Sequence, residues 1–215
     1  MILFINVFIT NQRMVGLPNL SNSRSHSKLD IFRYMLASYS TIKWSAVYIY
    51  YSLDEEFKSK QSFIDDEINH LFQGSKLRIN HFRIDDLGGW KSALKIINSQ
   101  DDEWIWFSCN DDHIFIDSNL DTLNNILISA EKLSKTYKYI SILPSHWQEY
   151  MAQRERNRIM GLTKSKLIND FGAGEVILEK EDFDISTFRT AGAIQIINRN
   201  LINHWFSVEQ SLPNG

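Results

Sequence analysis

The stretch Glu103-Trp-Ile-Trp-Phe-Ser-Cys-Asn-Asp-Asp-His-Ile-Phe-Ile-Asp117 decides how the rest of the chain is read. Trp104 to Phe107 is a bulky apolar run, of the kind that fits a strand buried on both faces. It breaks into Asn110, Asp111, Asp112 and His113 before apolar residues resume at Ile114. Adjacent carboxylates repel, and desolvating them is costly unless something positive lies beside them. A pair held at the end of a buried strand therefore asks for a counter-charge, most simply a hard divalent cation with oxygen ligands. The competing reading is a solvated acidic turn in which Asp111 or Asp112 caps the next segment.

On either side of this stretch, strand-like and helix-like segments alternate. Ile2 to Ile9 reads as a first strand, followed by a loop of Asn, Ser, Gly16 and Pro18. Leu29, Phe32, Leu36 and Tyr39 recur at helical spacing. Ala46 to Tyr51 reads as a second strand, ending at Ser52-Leu53-Asp54. Ile64, Ile68, Leu71 and Phe72 mark a second helix, with Ser62 and Asp65 expected as a capping pair and Gly74 as its stop. Leu77 to Ile84 reads as a third strand, and Gly88-Gly89 opens a helix faced by Trp90, Ala93, Leu94 and Ile97. After the central stretch, Ser118 and Asp121 begin a helix carrying Leu120, Leu123, Leu127, Ala130 and Leu133. Further strands are expected at Tyr139 to Leu143, Glu175 to Leu178 and Ala193 to Ile197, with helical character from Leu201 to Phe206. Repeated strand-then-helix units with short connections predict an α/β fold, a mostly parallel sheet with helices on both faces. Ligands of such sheets bind at the carboxyl ends of the strands. The polar interruptions fall there: Thr10 and Asn11, Asp54, Arg83 to Asp86, and Asn110 to His113. That coincidence favours a site over a turn.

Composition narrows the function classes. The 215 residues suit one large domain, and 43% hydrophobic with 13% aromatic content describes a chain that folds. A net charge of −3 offers no global case for nucleic-acid binding. Cys109 is the one cysteine, so no internal disulfide framework exists, and a reducing, cytoplasmic setting is expected. Its apolar neighbours make it a small buried side chain sooner than a nucleophile. Met1 to Thr10 lacks the basic start and small-residue cleavage site of a signal peptide and is too short to span a bilayer as a helix.

The set as a whole resembles the nucleotide-sugar glycosyltransferases of the GT-A fold. The resemblance rests on a first strand ending in a polar residue, an acidic residue after strand two, Arg83 followed by Trp90-Lys-Ser-Ala93-Leu94, and Asn110-Asp111-Asp112 after an aromatic strand. It covers residues 1 to 117 in order and returns more faintly from 170 to 206. It implies a single GT-A-like domain: a nucleotide-binding half at 1–117 and an acceptor-side half at 118–215, expected to be incomplete at Gly215. It implies Thr10, Asn11 and Asp54 at the nucleoside, Arg83 near the phosphates, and Asp112, with Asp111, on a Mn²⁺ or Mg²⁺ ion. Asn110 departs from the usual first Asp of Asp-x-Asp. An amide still bonds a ribose hydroxyl but is a poorer cation ligand than a carboxylate.

The implied reaction moves a sugar from a nucleotide-diphosphate sugar to a carbohydrate or glycolipid hydroxyl. A cation on Asp112 would stabilise the charge building on the departing phosphate. An inverting enzyme also needs a carboxylate base, for which Glu175, Asp182, Asp184 and Glu209 are candidates, Glu175 leading. His113 alternates with Asp112 and reads as a supporting hydrogen-bonding residue. The five positive charges at Arg154, Arg156, Arg158, Lys164 and Lys166 fit a solvated helix face, a lid over a diphosphate, or a patch on the inner face of a membrane. Two other function classes use similar residues. A metal-dependent phosphoesterase or nuclease clusters carboxylates and histidine, and a non-catalytic nucleotide- or sugar-binding module needs no base.

Overall fold

A computed structural model describes residues 1–9, 28–81, 97–99, 103–108, 120–135, 138, 140–143, 165–170, 176–180 and 195–203. β1 (Ile2–Ile9) and β2 (Ala46–Leu53) are buried almost throughout, as their runs of Ile, Val, Phe and Tyr require of strands covered on two faces. α1 (Lys28–Tyr39) connects them and turns Leu29, Phe32, Met35, Leu36 and Tyr39 inward. A short 3-10 helix (Glu55–Lys60) leads into α2 (Gln61–Leu71), which buries Ile64 and Ile68. Gly74 then reverses the chain at φ +90°, where a side chain would be strained. β3 (Lys76–His81), β4 (Trp104–Ser108), α3 (Leu120–Leu133) and β5 (Ile140–Leu143) come next. β6 (Ser165–Asp170), β7 (Val176–Lys180) and β8 (Gln195–Asn198) complete the described strands.

All eight strands join one sheet in the order β3-β2-β1-β4-β8-β5-β7-β6. The first four are parallel, through pairs such as Ile5↔Ile49, Ile49↔Ile79 and Leu3↔Trp106. β8 is antiparallel to both β4 and β5, and β7 to both β5 and β6. Among the described strands, β1 to β6 therefore share one direction, and β7 and β8 are reversed. The α/β class and the mostly parallel sheet agree with the sequence reading. The order β3-β2-β1-β4 is that of one half of a Rossmann-type sheet, with its reversal between β1 and β4.

One sheet face packs Leu3, Ile5, Val7, Val47, Ile49 and Trp106 against α1 and α2, with Ala130 of α3 in the same cluster. Tyr39, Trp44 and Trp106 meet edge-on there, at 5.7 to 6.4 Å between ring centroids. The Trp44 indole N–H donates to the Tyr39 carbonyl at 2.8 Å. Arg33 of α1 grips Glu67 of α2 with two hydrogen bonds, 2.6 and 2.9 Å, and that contact raises its pKa. The opposite face stacks Phe4 on Phe107 and carries buried Ile2, Ile105 and Ile197.

Three expectations need correction. Ser62 and Asp65 do not cap a helix, because the 3-10 turn moves the cap back to Asp54 and places both residues inside α2. Lys166 lies in β6, opposite Glu179 of β7, so that end of the basic run is neither helix face nor loop. Helix 199–203 starts two residues before its expected position. The remaining basic residues, Arg154 to Lys164, lie outside the described residues, as does the helix expected from Gly88 apart from its end, where residues 97 and 98 are helical and Ile97 is buried as expected.

Candidate functional site

The carboxyl ends of β1 to β6 form one edge of the sheet, and the reversed strands β7 and β8 begin at that edge. The edge therefore presents Ile9, Leu53, His81 and Ser108 as chain exits and Val176 and Gln195 as chain entries. Of the predicted site residues, Asp54 is the one among the described residues. Thr10, Asn11, Arg83, Asn110, Asp111, Asp112 and Glu175 lie outside them, as do Cys109, His113, Asp182, Asp184 and Glu209.

Asp54 stands where the sequence places it, directly after β2. Its backbone N–H donates to the Ile9 carbonyl at 3.0 Å, which ties the ends of β1 and β2 together. Its carboxylate accepts from the Glu55 N–H at 2.8 Å, and its carbonyl from the Phe57 N–H at 2.8 Å, starting the 3-10 turn. A local bond to its own loop orients this carboxylate and leaves its remaining lone pairs for a ligand.

Three residues before Asp54, Tyr51 anchors a group that sequence reasoning did not assemble. The hydroxyl of buried Tyr51 donates to Asp65 Oδ1 at 2.7 Å. His81 Nε2 lies 3.0 Å from Asp65 Oδ2, and the His81 ring meets Tyr51 edge-on at 4.7 Å. Burial pushes the Tyr51 phenol far above its ordinary pKa, and the bond to Asp65 adds to the shift, so the hydroxyl remains a donor. Sequence spacing offered no sign of this trio, since the three residues come from β2, α2 and β3. The one available hint was a histidine at a strand end.

A second polar knot organises the antiparallel half. Asn198, fully buried, accepts at Oδ1 from the N–H groups of Ile140 (3.1 Å) and Leu201 (3.2 Å). Its Nδ2 donates to the Lys138 carbonyl at 3.0 Å. Arg199 then donates its backbone N–H to Glu103 O (2.8 Å) and Nη1 to Ile97 O (2.7 Å), tying the entrance of β4 to the end of β8. An Asn three residues before Leu201 is the N-cap signal that would have found this helix start.

Among the described residues no group of three or more His, Cys, Asp or Glu side chains could hold a metal. No described helix is long and apolar enough to cross a membrane.

The fold thus defines an α/β protein with a Rossmann-type parallel half and a polar carboxyl edge. No protein-family model matches the sequence, and no curated protein matches it. Among solved structures it is similar to a 4-diphosphocytidyl-2C-methyl-D-erythritol synthase from Anaerococcus prevotii, at 11% identity and a TM-score of 0.41, over 99% of this chain and 77% of that one. A likeness of that size bears on neither substrate nor activity.

Proposed function

We propose that the chain is a metal-assisted glycosyltransferase that moves a sugar from a nucleotide-diphosphate sugar to a carbohydrate or glycolipid hydroxyl, in polysaccharide or glycoconjugate synthesis. One observation carries the reading: the segments holding the candidate residues all join the sheet at one edge. Thr10 and Asn11 follow Ile9, Asp54 follows Leu53, and Arg83 is two residues beyond His81. Asn110 and Asp112 are two and four residues beyond Ser108, and Glu175 is bonded to Val176. β1 and β4, the strands that lead to Thr10 and to the acidic cluster, are neighbours across the point where strand order reverses. Open α/β sheets bind ligands at that point.

The roles follow from chemistry. Asp111 and Asp112 are hard oxygen donors, which suit Mg²⁺ or Mn²⁺, and such an ion would neutralise charge on the leaving diphosphate. Asn110 serves the ribose, Thr10, Asn11 and Asp54 the nucleoside, and Arg83 the phosphate oxygens. Val176, the residue after Glu175 in sequence, opens β7, three strands from β4, or about 14 Å at the usual strand spacing. That separation suits a base at the acceptor end of an extended ligand. Residues 1–117 form the nucleotide half and 118–215 the acceptor half. The basic run that begins at Arg154 would offer a contact to the anionic inner face of a membrane.

A thermal-shift screen of nucleotides and nucleotide sugars, with and without Mn²⁺ or Mg²⁺, tests the reading. A cognate nucleotide with metal at a hundred times its Kd stabilises the fold by about 2.7 kcal/mol, and product analysis then shows sugar transfer. No shift with any nucleotide, or phosphate-ester cleavage without sugar transfer, overturns it.

Arg83→Ala separates phosphate recognition from folding. Nucleoside diphosphate binding is expected to weaken by about 1.5–3 kcal/mol, the worth of a charge-assisted hydrogen bond, with nucleoside binding unchanged. Calorimetry that finds both ligands weakened equally would assign Arg83 to the fold instead.

A further inference from the structure

The Tyr51–Asp65–His81 relay takes none of the roles assigned to the nucleotide-sugar site, yet it lies at the same sheet edge. A carboxylate accepts hydrogen bonds and does not donate them, so the hydrogen between His81 and Asp65 belongs to Nε2. In a neutral imidazole the other nitrogen, Nδ1, is then an acceptor. Among the described residues nothing pairs with Nδ1, and the His81 side chain keeps 36% of its surface exposed. Asp65 fixes the tautomer, the Tyr51 ring fixes the tilt, and Tyr51 in turn holds Asp65. The outcome is an oriented, open acceptor.

Phosphate oxygens are themselves acceptors, so a neutral Nδ1 does not take them. It needs an N–H or O–H. β2, the neighbour of β3, runs on past Tyr51, the register partner of His81, to Asp54 three residues later, whose carboxylate is a second acceptor at this edge. The Nδ1 position therefore calls for a ligand N–H or O–H. Uracil and guanine carry a ring N–H on their pairing edge, whereas cytosine and adenine carry a bare ring nitrogen there. A site built to bond a substrate N–H discriminates strongly against the analogue without it.

We propose that His81, positioned by Asp65 and Tyr51, accepts the ring N–H of a lactam-type nucleobase and so selects uracil- or guanine-type nucleotides. The inference rests on the nucleotide-sugar reading of the site.

Calorimetric titration of UDP, GDP, CDP and ADP into the parent, His81→Phe and Asp65→Asn proteins tests it. The parent is expected to bind UDP or GDP about tenfold tighter than CDP and ADP. His81→Phe should reduce that preference to about twofold or less, because the acceptor is gone. Asp65→Asn keeps the imidazole but inverts its tautomer: the amide oxygen takes the Tyr51 hydroxyl, and its NH₂ donates to Nε2. The ring hydrogen then moves to Nδ1, and the lactam preference should fall although His81 is intact. Histidine ¹⁵N shifts of the ligand-free proteins report the tautomer, Nε2–H in the parent and Nδ1–H in Asp65→Asn. They also carry the test if His81→Phe fails to fold. A parent with the Nδ1–H tautomer, a preference for CDP or ADP, or a lactam preference that survives His81→Phe overturns this inference and spares the nucleotide reading. A parent that binds no nucleotide overturns both.

Discussion

Asn198→Ala is expected to destabilise the fold by about 3 kcal/mol, because it leaves buried backbone groups without partners. The side chain bonds three of them: the Ile140 and Leu201 N–H groups and the Lys138 carbonyl. These groups belong to β5, to helix 199–203 and to the segment entering β5. One truncation therefore loosens a helix cap and a strand start together. β8 is also the joint between the parallel and antiparallel halves, pairing with β4 on one side and β5 on the other. Denaturant unfolding of the parent and variant measures the change directly. A loss under about 1 kcal/mol, no more than an ordinary surface substitution, would mean that water takes over these bonds.

Asp112→Asn is expected to abolish metal-dependent nucleotide binding while the melting temperature of the ligand-free protein stays within a few degrees. The substitution is nearly isosteric but replaces an anionic oxygen donor with an amide, a weak ligand for Mg²⁺ or Mn²⁺. Asn110 already supplies an amide in place of the usual first carboxylate, so Asp111 would be left as the sole acidic residue of Asn110-Asp-Asp112. Asp111→Asn should weaken metal binding less, since the resemblance puts the principal contact at Asp112. Titration of Mn²⁺ in the presence of nucleoside diphosphate, monitored by thermal shift, reads both. Unimpaired Mn²⁺-dependent binding in Asp112→Asn would remove the central assignment.

How much is legible in a sequence depends on the range over which each signal acts. Ile2 to Ile9, Ala46 to Leu53 and Trp104 to Ser108 are continuous apolar runs whose burial on two faces is written in their own composition. The 3.6-residue spacing in α1 and the glycine at Gly74 are equally local. Strand and helix alternation, and with it the α/β class and the edge where Asp54 sits, came from those patterns. Local signals misled where two uses of one residue type compete. Asp65 has the spacing of a capping residue but serves Tyr51 and His81, because a buried phenol needs an acceptor more than a helix interior does. Lys166 belongs to a charge run in sequence, yet it sits in β6 beside β7, and cross-strand pairing is invisible to charge counting.

The elements, the buried strands and the polar residues at their ends are thus encoded locally, because each depends on neighbours a few positions away. Three features are not. β8 inserts between β4 and β5, Asn198 stitches that joint, and Tyr51, Asp65 and His81 meet only once the sheet has assembled. The bonds that make these features join residues as far as 14 to 60 positions apart. Long loop closures of this kind are selected by the packing of the whole sheet, and no periodicity within one segment encodes them.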